Sequence, residues 1–149
     1  MFGWPYETTI AMARLVFAGV FDRHPDATII THHTGAMVPY FGDRIKAMYD
    51  LFTAHGAVQV SGRLKHPPHW YFTRFYADTA LNGGMHALRC ALAYFPPERM
   101  LFGTDTPFDA EGGSRNIRET LAALDASGLS VAQRQQIDEG NLQRILTKE

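Results

Sequence analysis

Cysteine is almost missing from this 149-residue chain, where Cys90 stands alone. A single thiol excludes an intramolecular disulfide and any cysteine-built zinc cluster, and makes the reducing cytoplasm the expected compartment. An excess of charge is missing too. Fourteen Lys and Arg against 15 Asp and Glu leave a formal net charge of −1. With a pI near 6.6, the chain is not built to neutralise nucleic-acid phosphates or an anionic membrane, so neither partner is expected. No apolar run reaches the roughly 18 residues of a membrane span. No basic stretch precedes an apolar one at the N-terminus, which argues against a signal peptide. Internal repeats, low-complexity tracts, a phosphate-binding Gly loop and a Gly-x-Ser-x-Gly elbow are all absent. The remainder is an ordinary globular balance, 46% hydrophobic and 19% charged, at a length that suits one domain.

The chain opens on Phe2, Trp4 and Tyr6 around Pro5, which reads as loop. Ile10, Ala13, Phe17, Val20 and Phe21 recur at helical spacing and predict a helix over Thr8–Phe21, stopped by Pro25. Thr28–Thr31 is a β-branched run expected as a buried strand. Val38, Phe41, Ile45, Met48 and Leu51 mark a second helix ending near Gly56. Residues 55–69 read as a connection to a helical turn at Trp70–Arg74. Phe75–Thr79 and Arg99–Gly103 are further strands, separated by a helix through Met85, Leu88 and Leu92 that Pro96 and Pro97 end. Ile117, Leu121 and Leu124 carry a fourth helix, and Val131–Lys148 a helical tail with a break near Gly140–Asn141.

Strands separated by helices run parallel with right-handed crossovers, so the fold class is α/β. A closed TIM barrel takes eight strands and about 250 residues. Three strand–helix units therefore predict part of such a barrel, with residues 1–149 as a single partial domain. Exposed strand edges and uncovered barrel-interior positions predict association or poor solubility.

The polar residues are placed where such folds keep their chemistry. His33 follows the first strand, Asp78 ends the second and Asp105 follows the third, all at carboxyl ends. His33 suits general acid–base work, and Asp105 suits a metal ligand or proton acceptor. The bland alternatives are a backbone-bonded histidine and an Asx turn or helix cap. His32 should face the other side of its strand in a structural role. Arg44, among Asp43, Lys46 and Asp50, is either part of a solvated face or a carboxylate binder. His24, His55, His66, His69 and His86 read as surface. Arg63, Lys65 and His66 beside Trp70 and Tyr71 are too few for a nucleic-acid site. Gly112–Gly113 reads as loop flexibility rather than a phosphate cradle.

At these residues the chain resembles the amidohydrolase-related decarboxylases, the group of aminocarboxymuconate-semialdehyde decarboxylase and the resorcylate-type benzoate decarboxylases. The resemblance runs through Gly3–Thr9, Gly19–Pro25, His33-Thr34-Gly35 with Pro39 and Arg44-Ile45, Phe75–Asp78, Phe102–Phe108 and Asn141–Leu146. It covers nearly the whole chain as the C-terminal half of the family's TIM-like barrel.

The resemblance implies a divalent metal, zinc first and manganese second, and a small aromatic or muconate-type carboxylic acid as substrate. It implies Asp105 as the metal-binding and catalytic carboxylate of the last barrel strand. It makes His33 the catalytic histidine, Arg44 a substrate-carboxylate binder reaching across the interface of a dimer or larger homo-oligomer, and Phe108 and Trp4 substrate contacts. The departure is equally specific. The family's first-strand His-x-His or Glu-x-His pair and its fifth-strand histidine are absent. A catalytic zinc takes about three protein ligands, so the site is incomplete in this chain. Non-oxidative decarboxylation is the expected reaction. Metal-dependent hydrolysis or hydration on the same scaffold, and an incomplete half-barrel needing a partner chain, are the alternatives.

Overall fold

Three short runs of β-formers, each ending in polar loop residues, build the sheet. In the computed structural model, which describes residues 1–56 and 64–147, β1 (Ile30–Thr31), β2 (Tyr76–Asp78) and β3 (Met100–Leu101) pair in that order. All pairing is parallel, with Ile30 opposite Tyr76, Thr31 opposite Ala77, Ala77 opposite Met100 and Asp78 opposite Leu101. Paired residues share a face. Thr31, Ala77 and Met100 therefore lie on one side and Ile30, Tyr76, Asp78 and Leu101 on the other.

The first side is covered by helices. α1 (Gly3–Phe17) and α2 (Val20–Arg23) precede β1, and α3 (Gly42–Ala54) and α4 (Pro68–Phe72) lead to β2. α5 (Met85–Tyr94) joins β2 to β3. α6 (Ser114–Asp125), α7 (Val131–Gln135) and α8 (Asn141–Leu146) follow β3. Met12 and Val16 of α1, Phe21, Phe72, Phe75, Leu88, Phe95, Leu124 and Ile137 form the core with Ala77 and Met100. Phe21 meets Phe75 edge to face at 5.1 Å, a favoured aromatic geometry. The other side of the sheet is left partly open, and Ile30 there is 47% exposed. Tyr76 and Leu101 on that side are buried.

The predicted elements are present, and their boundaries differ for physical reasons. The aromatic opening is helical from Gly3 rather than loop, because Pro5 falls in the first turn, where a missing N–H costs nothing. The helix expected over Thr8–Phe21 breaks at Ala18, and Gly19 takes a left-handed φ of 70° to start α2. The second helix begins at Gly42 instead of Val38. Ala36 and the turn after it redirect the chain, so Val38 is buried from that turn. The strands are shorter than the apolar runs that announce them. Ile117 and Leu121, expected to pack inward, are exposed on α6. The break in the tail is a π-turn over Gln136–Gly140, whose Ile137 carbonyl accepts a hydrogen bond from Phe102 N at 2.9 Å. Asn141, buried just beyond, donates through Nδ2 to the carbonyls of Pro97 and Met100 at 2.8 and 2.7 Å. Among the described residues no helix is long and apolar enough to cross a membrane.

Candidate active site

The three strands release their chains at one end of the sheet, and the turns there are strained. After β1, His33, Thr34, Gly35 and Ala36 all take positive φ, at 52°, 52°, 77° and 55°. For non-glycine residues this region costs roughly 1–2 kcal/mol each, so the turn persists only because it is held. Thr34 N donates to Asp78 Oδ1 at 3.3 Å, Gly35 N to the His32 carbonyl at 3.1 Å, and Thr34 Oγ1 to the His33 carbonyl at 2.7 Å. A Cβ on Gly35 would stand 2.9 Å from Phe95 Cζ, so only glycine lets the turn close on the core.

The reward of that turn is the direction of His33. Its Nε2 stands 3.8 Å from Asp105 Oδ2, with side chains 26% and 33% exposed. This is ion-pair distance rather than a hydrogen bond. His33 Nδ1 is buried with no hydrogen-bond partner among the described residues, so the ring's outward nitrogen is the one available for proton exchange.

Asp105 also sits at positive φ, 61°. Its backbone is fixed: Phe108 N donates to the Asp105 carbonyl at 3.0 Å, and Asn116 Nδ2 lies 3.4 Å from both the Asp105 and the Phe108 carbonyls. The capping role open to Asp105 in the sequence belongs instead to Asp109. Its carboxylate accepts from the backbone N–H groups of Glu111, Gly113 and Asn116 at 2.6, 3.0 and 2.8 Å, tying the loop to the start of α6. Desolvation pushes the Asp109 pKa up, but those three N–H groups and the nearby Arg115 charge outweigh it and hold the carboxyl below its usual range. Gly113 is correspondingly not a flexible spacer. It is buried at φ 99°, and a Cβ there would stand 2.5 Å from Thr106 Oγ1.

Asp78 acts as a loop clamp. Its Oδ1 accepts from Thr34 N and Ala80 N, and its Oδ2 lies 3.3 Å from His32 Nδ1. His32 is still extended at φ −82°, ψ 161° and keeps the alternation of β1, on the side of Ile30 and Asp78, 79% exposed beside Asp78. Its ring centroid nonetheless lies 6.1 Å from that of His33, which is expected on the opposite side. The departure is at His33, where the left-handed turn ends the alternation and brings the two rings near each other.

The other expected site residues are not joined to the pair. Arg44 is exposed on α3, where it lines an apolar groove of about 520 Å³ with Phe17, Phe41, Ile45 and Phe52. It makes no ion pair among the described residues. Phe108 and Trp4 are both largely exposed, Phe108 in the turn that closes on Asp105 and Trp4 on α1. His24, His55, His66, His69 and His86 are at the surface as expected. Arg63 lies outside the described residues, so the basic cluster expected with Lys65 and His66 is not described as a unit.

A catalytic divalent ion takes about three protein donors and an open position. Among the described residues no three His, Cys, Asp or Glu side chains converge. His33 and Asp105 offer two donors, and Asp78 is engaged by the loops it clamps. This chain's donors therefore do not make up a metal site by themselves. Asn116, Asn82 and Asp109 were not legible as site residues. The signal for Asp109 is its spacing, an aspartate just ahead of a Gly-Gly pair at a helix entry.

The chain is 32% identical over 136 residues to a gamma-resorcylate decarboxylase of Rhodococcus jostii, covering 91% of this chain and 38% of that protein. It is 28% identical over 144 residues to the gamma-resorcylate decarboxylase of a Polaromonas species, covering 93% of this chain and 40% of the relative. It also superposes on a Polaromonas dihydroxybenzoic acid decarboxylase, solved with bound manganese and the inhibitor 2-nitroresorcinol. There the TM-score is 0.76 at 28% identity, over 97% of this chain and 42% of that one. The chain spans about two fifths of the length of these relatives. Its three parallel strands and their helices are thus part of a TIM-like barrel. The family model matched runs from residue 2 to residue 147, and on that span the chain belongs to the amidohydrolase family.

Proposed function

We propose that the chain is the C-terminal part of a metal-dependent, non-oxidative decarboxylase of aromatic carboxylic acids, with muconate-type acids as the alternative substrate class. Residues 1–149 are one partial barrel domain in this reading. The observation that carries it is the approach of His33 Nε2 to Asp105 Oδ2, two titratable groups from different loops at the strand ends. The decarboxylase relatives support the reaction class.

His33 delivers a proton to the ring carbon that bears the carboxylate. The carbon–carbon bond then breaks, its electron pair restores the aromatic ring, and carbon dioxide leaves. Asp105 opposite Nε2 stabilises the imidazolium before transfer and orients the ring after it. Phe108 and Trp4 supply apolar surface to exclude water from a bound ring. Arg44 pairs with the substrate carboxylate from a neighbouring copy in a dimer or larger homo-oligomer. The complete enzyme takes a divalent ion, zinc or manganese, and its remaining ligands come from outside these residues.

The incomplete donor set favours one further reading, that the chain acts only once another chain or segment completes the barrel. The test is carbon dioxide release from 2,6-dihydroxybenzoate with added manganese, assayed for this chain alone and within the completed protein. Stoichiometric carbon dioxide and resorcinol support decarboxylation. Hydrolysis of a lactone or amide without carbon dioxide release overturns it in favour of a hydrolase.

A further inference from the structure

Asn116, on α6, hydrogen-bonds both the loop after β2 and the loop after β3. It is 2% exposed. Its Oδ1 accepts from Asn82 Nδ2 at 2.9 Å, and its Nδ2 faces the carbonyls of Asp105 and Phe108. The two ends of an amide are chemically distinct. The Asp105 and Phe108 carbonyls can only accept, so the Asn116 amino group faces them, and the Asn82 amino group takes up the Asn116 oxygen on the other side. Asn82 in turn is held at φ 50°. The next residue, Gly83, packs so closely on α6 that a Cβ would lie 2.4 Å from Glu119 Cβ.

The geometry points to Asn116, oriented by Asn82, as the positioning residue that aims Asp105 at His33. Asn116 holds the carbonyl of Asp105, the residue whose left-handed backbone at φ 61° carries its carboxylate to His33 Nε2. The two carbonyls that Asn116 binds bracket the Asp105–Phe108 turn, so one side chain fixes both its ends. A buried polar group satisfied on every side specifies a single arrangement of its surroundings. This rests on the reading of His33 and Asp105 as a working pair, and deepens it.

The test is a double-mutant cycle read at the His33 ring. Side-chain carbon and proton shifts of His33 are recorded at one fixed pH, in protein treated with chelator, for the full chain and for Asp105→Asn. They are then recorded for the same two in an Asn116→Asp background. Aspartate keeps the shape and the acceptor for Asn82 but cannot donate to the two carbonyls. Asn82→Asp, at an exposed position, is the second background, and it reverses the amide by presenting an acceptor to it.

In the native background Asp105→Asn shifts the His33 ring signals. In both altered backgrounds that response falls to less than half, while the β1 and β2 amide signals stay in place. If Asp105→Asn leaves His33 unmoved in the native background, the pair itself is refuted. If the response survives undiminished in Asn116→Asp or Asn82→Asp, the pair holds and the positioning role is refuted. In the completed enzyme Asn116→Asp lowers kcat about 10- to 100-fold with KM unchanged, the cost of a misplaced catalytic group.

Discussion

Asp105 and Asp109 lie four residues apart on one loop and do different work. Asp109 accepts three backbone N–H groups at the entry to α6, and Asp105 turns its carboxylate to within 3.8 Å of His33 Nε2. The first holds the loop so that the second can be aimed.

That division makes the stability of the loop pH-dependent through Asp109. Its folded pKa lies below the unfolded value of about 3.9. Its contribution is therefore fully present above the unfolded pKa and is lost as pH falls through the folded one. Asp109→Asn should be less stable than the native chain at pH 7. In urea melts across pH, the gap should narrow below about pH 4. A gap that stays constant down to pH 2.5 would remove the carboxylate from this role.

The turn after β1 offers a paired prediction. Ala36 occupies φ 55°, ψ −115°, a region that suits glycine. Ala36→Gly should stabilise the chain by about 1 kcal/mol. Gly35→Ala, one residue earlier, adds a Cβ 2.9 Å from Phe95 Cζ at φ +77° and should destabilise by roughly 1–3 kcal/mol. Thermal melting of the two variants should move in opposite directions. Equal signs would mean the turn is not held as described.

Asn141 carries a third. Replacing it by Leu leaves the carbonyls of Pro97 and Met100 without their donor. An unsatisfied buried group costs about 1–3 kcal/mol. Chemical denaturation should show a loss in that range or above it, and the amide of Phe102 should exchange faster with solvent. An unchanged midpoint would contradict the tie between α8 and β3.

The sequence makes the order of elements legible because each helix carries a regular apolar stripe and each strand a β-branched or aromatic run. It also places His33, Asp78 and Asp105 at the strand ends, since that needs only the element order. What stays hidden depends on contacts distant in sequence. The left-handed run at His33–Ala36 is stabilised by Asp78, 44 residues from Thr34. The oxygen of buried Asn116 takes its hydrogen bond from Asn82, 34 residues away. Strand alternation predicts His32 and His33 on opposite sides because it assumes the strand continues, and the turn at His33 ends it. Ile117 and Leu121 look like core residues by spacing, yet they are exposed on α6.

The most direct test of the account is the turnover of 2,6-dihydroxybenzoate by the completed enzyme carrying His33→Gln or Asp105→Asn in this chain. Loss of a positioned acid–base group typically removes about 10²- to 10⁴-fold. Both variants should lose kcat in that range while retaining a cooperative melt. A variant of either residue that releases carbon dioxide at the native rate would show that the His33–Asp105 pair does not carry the reaction.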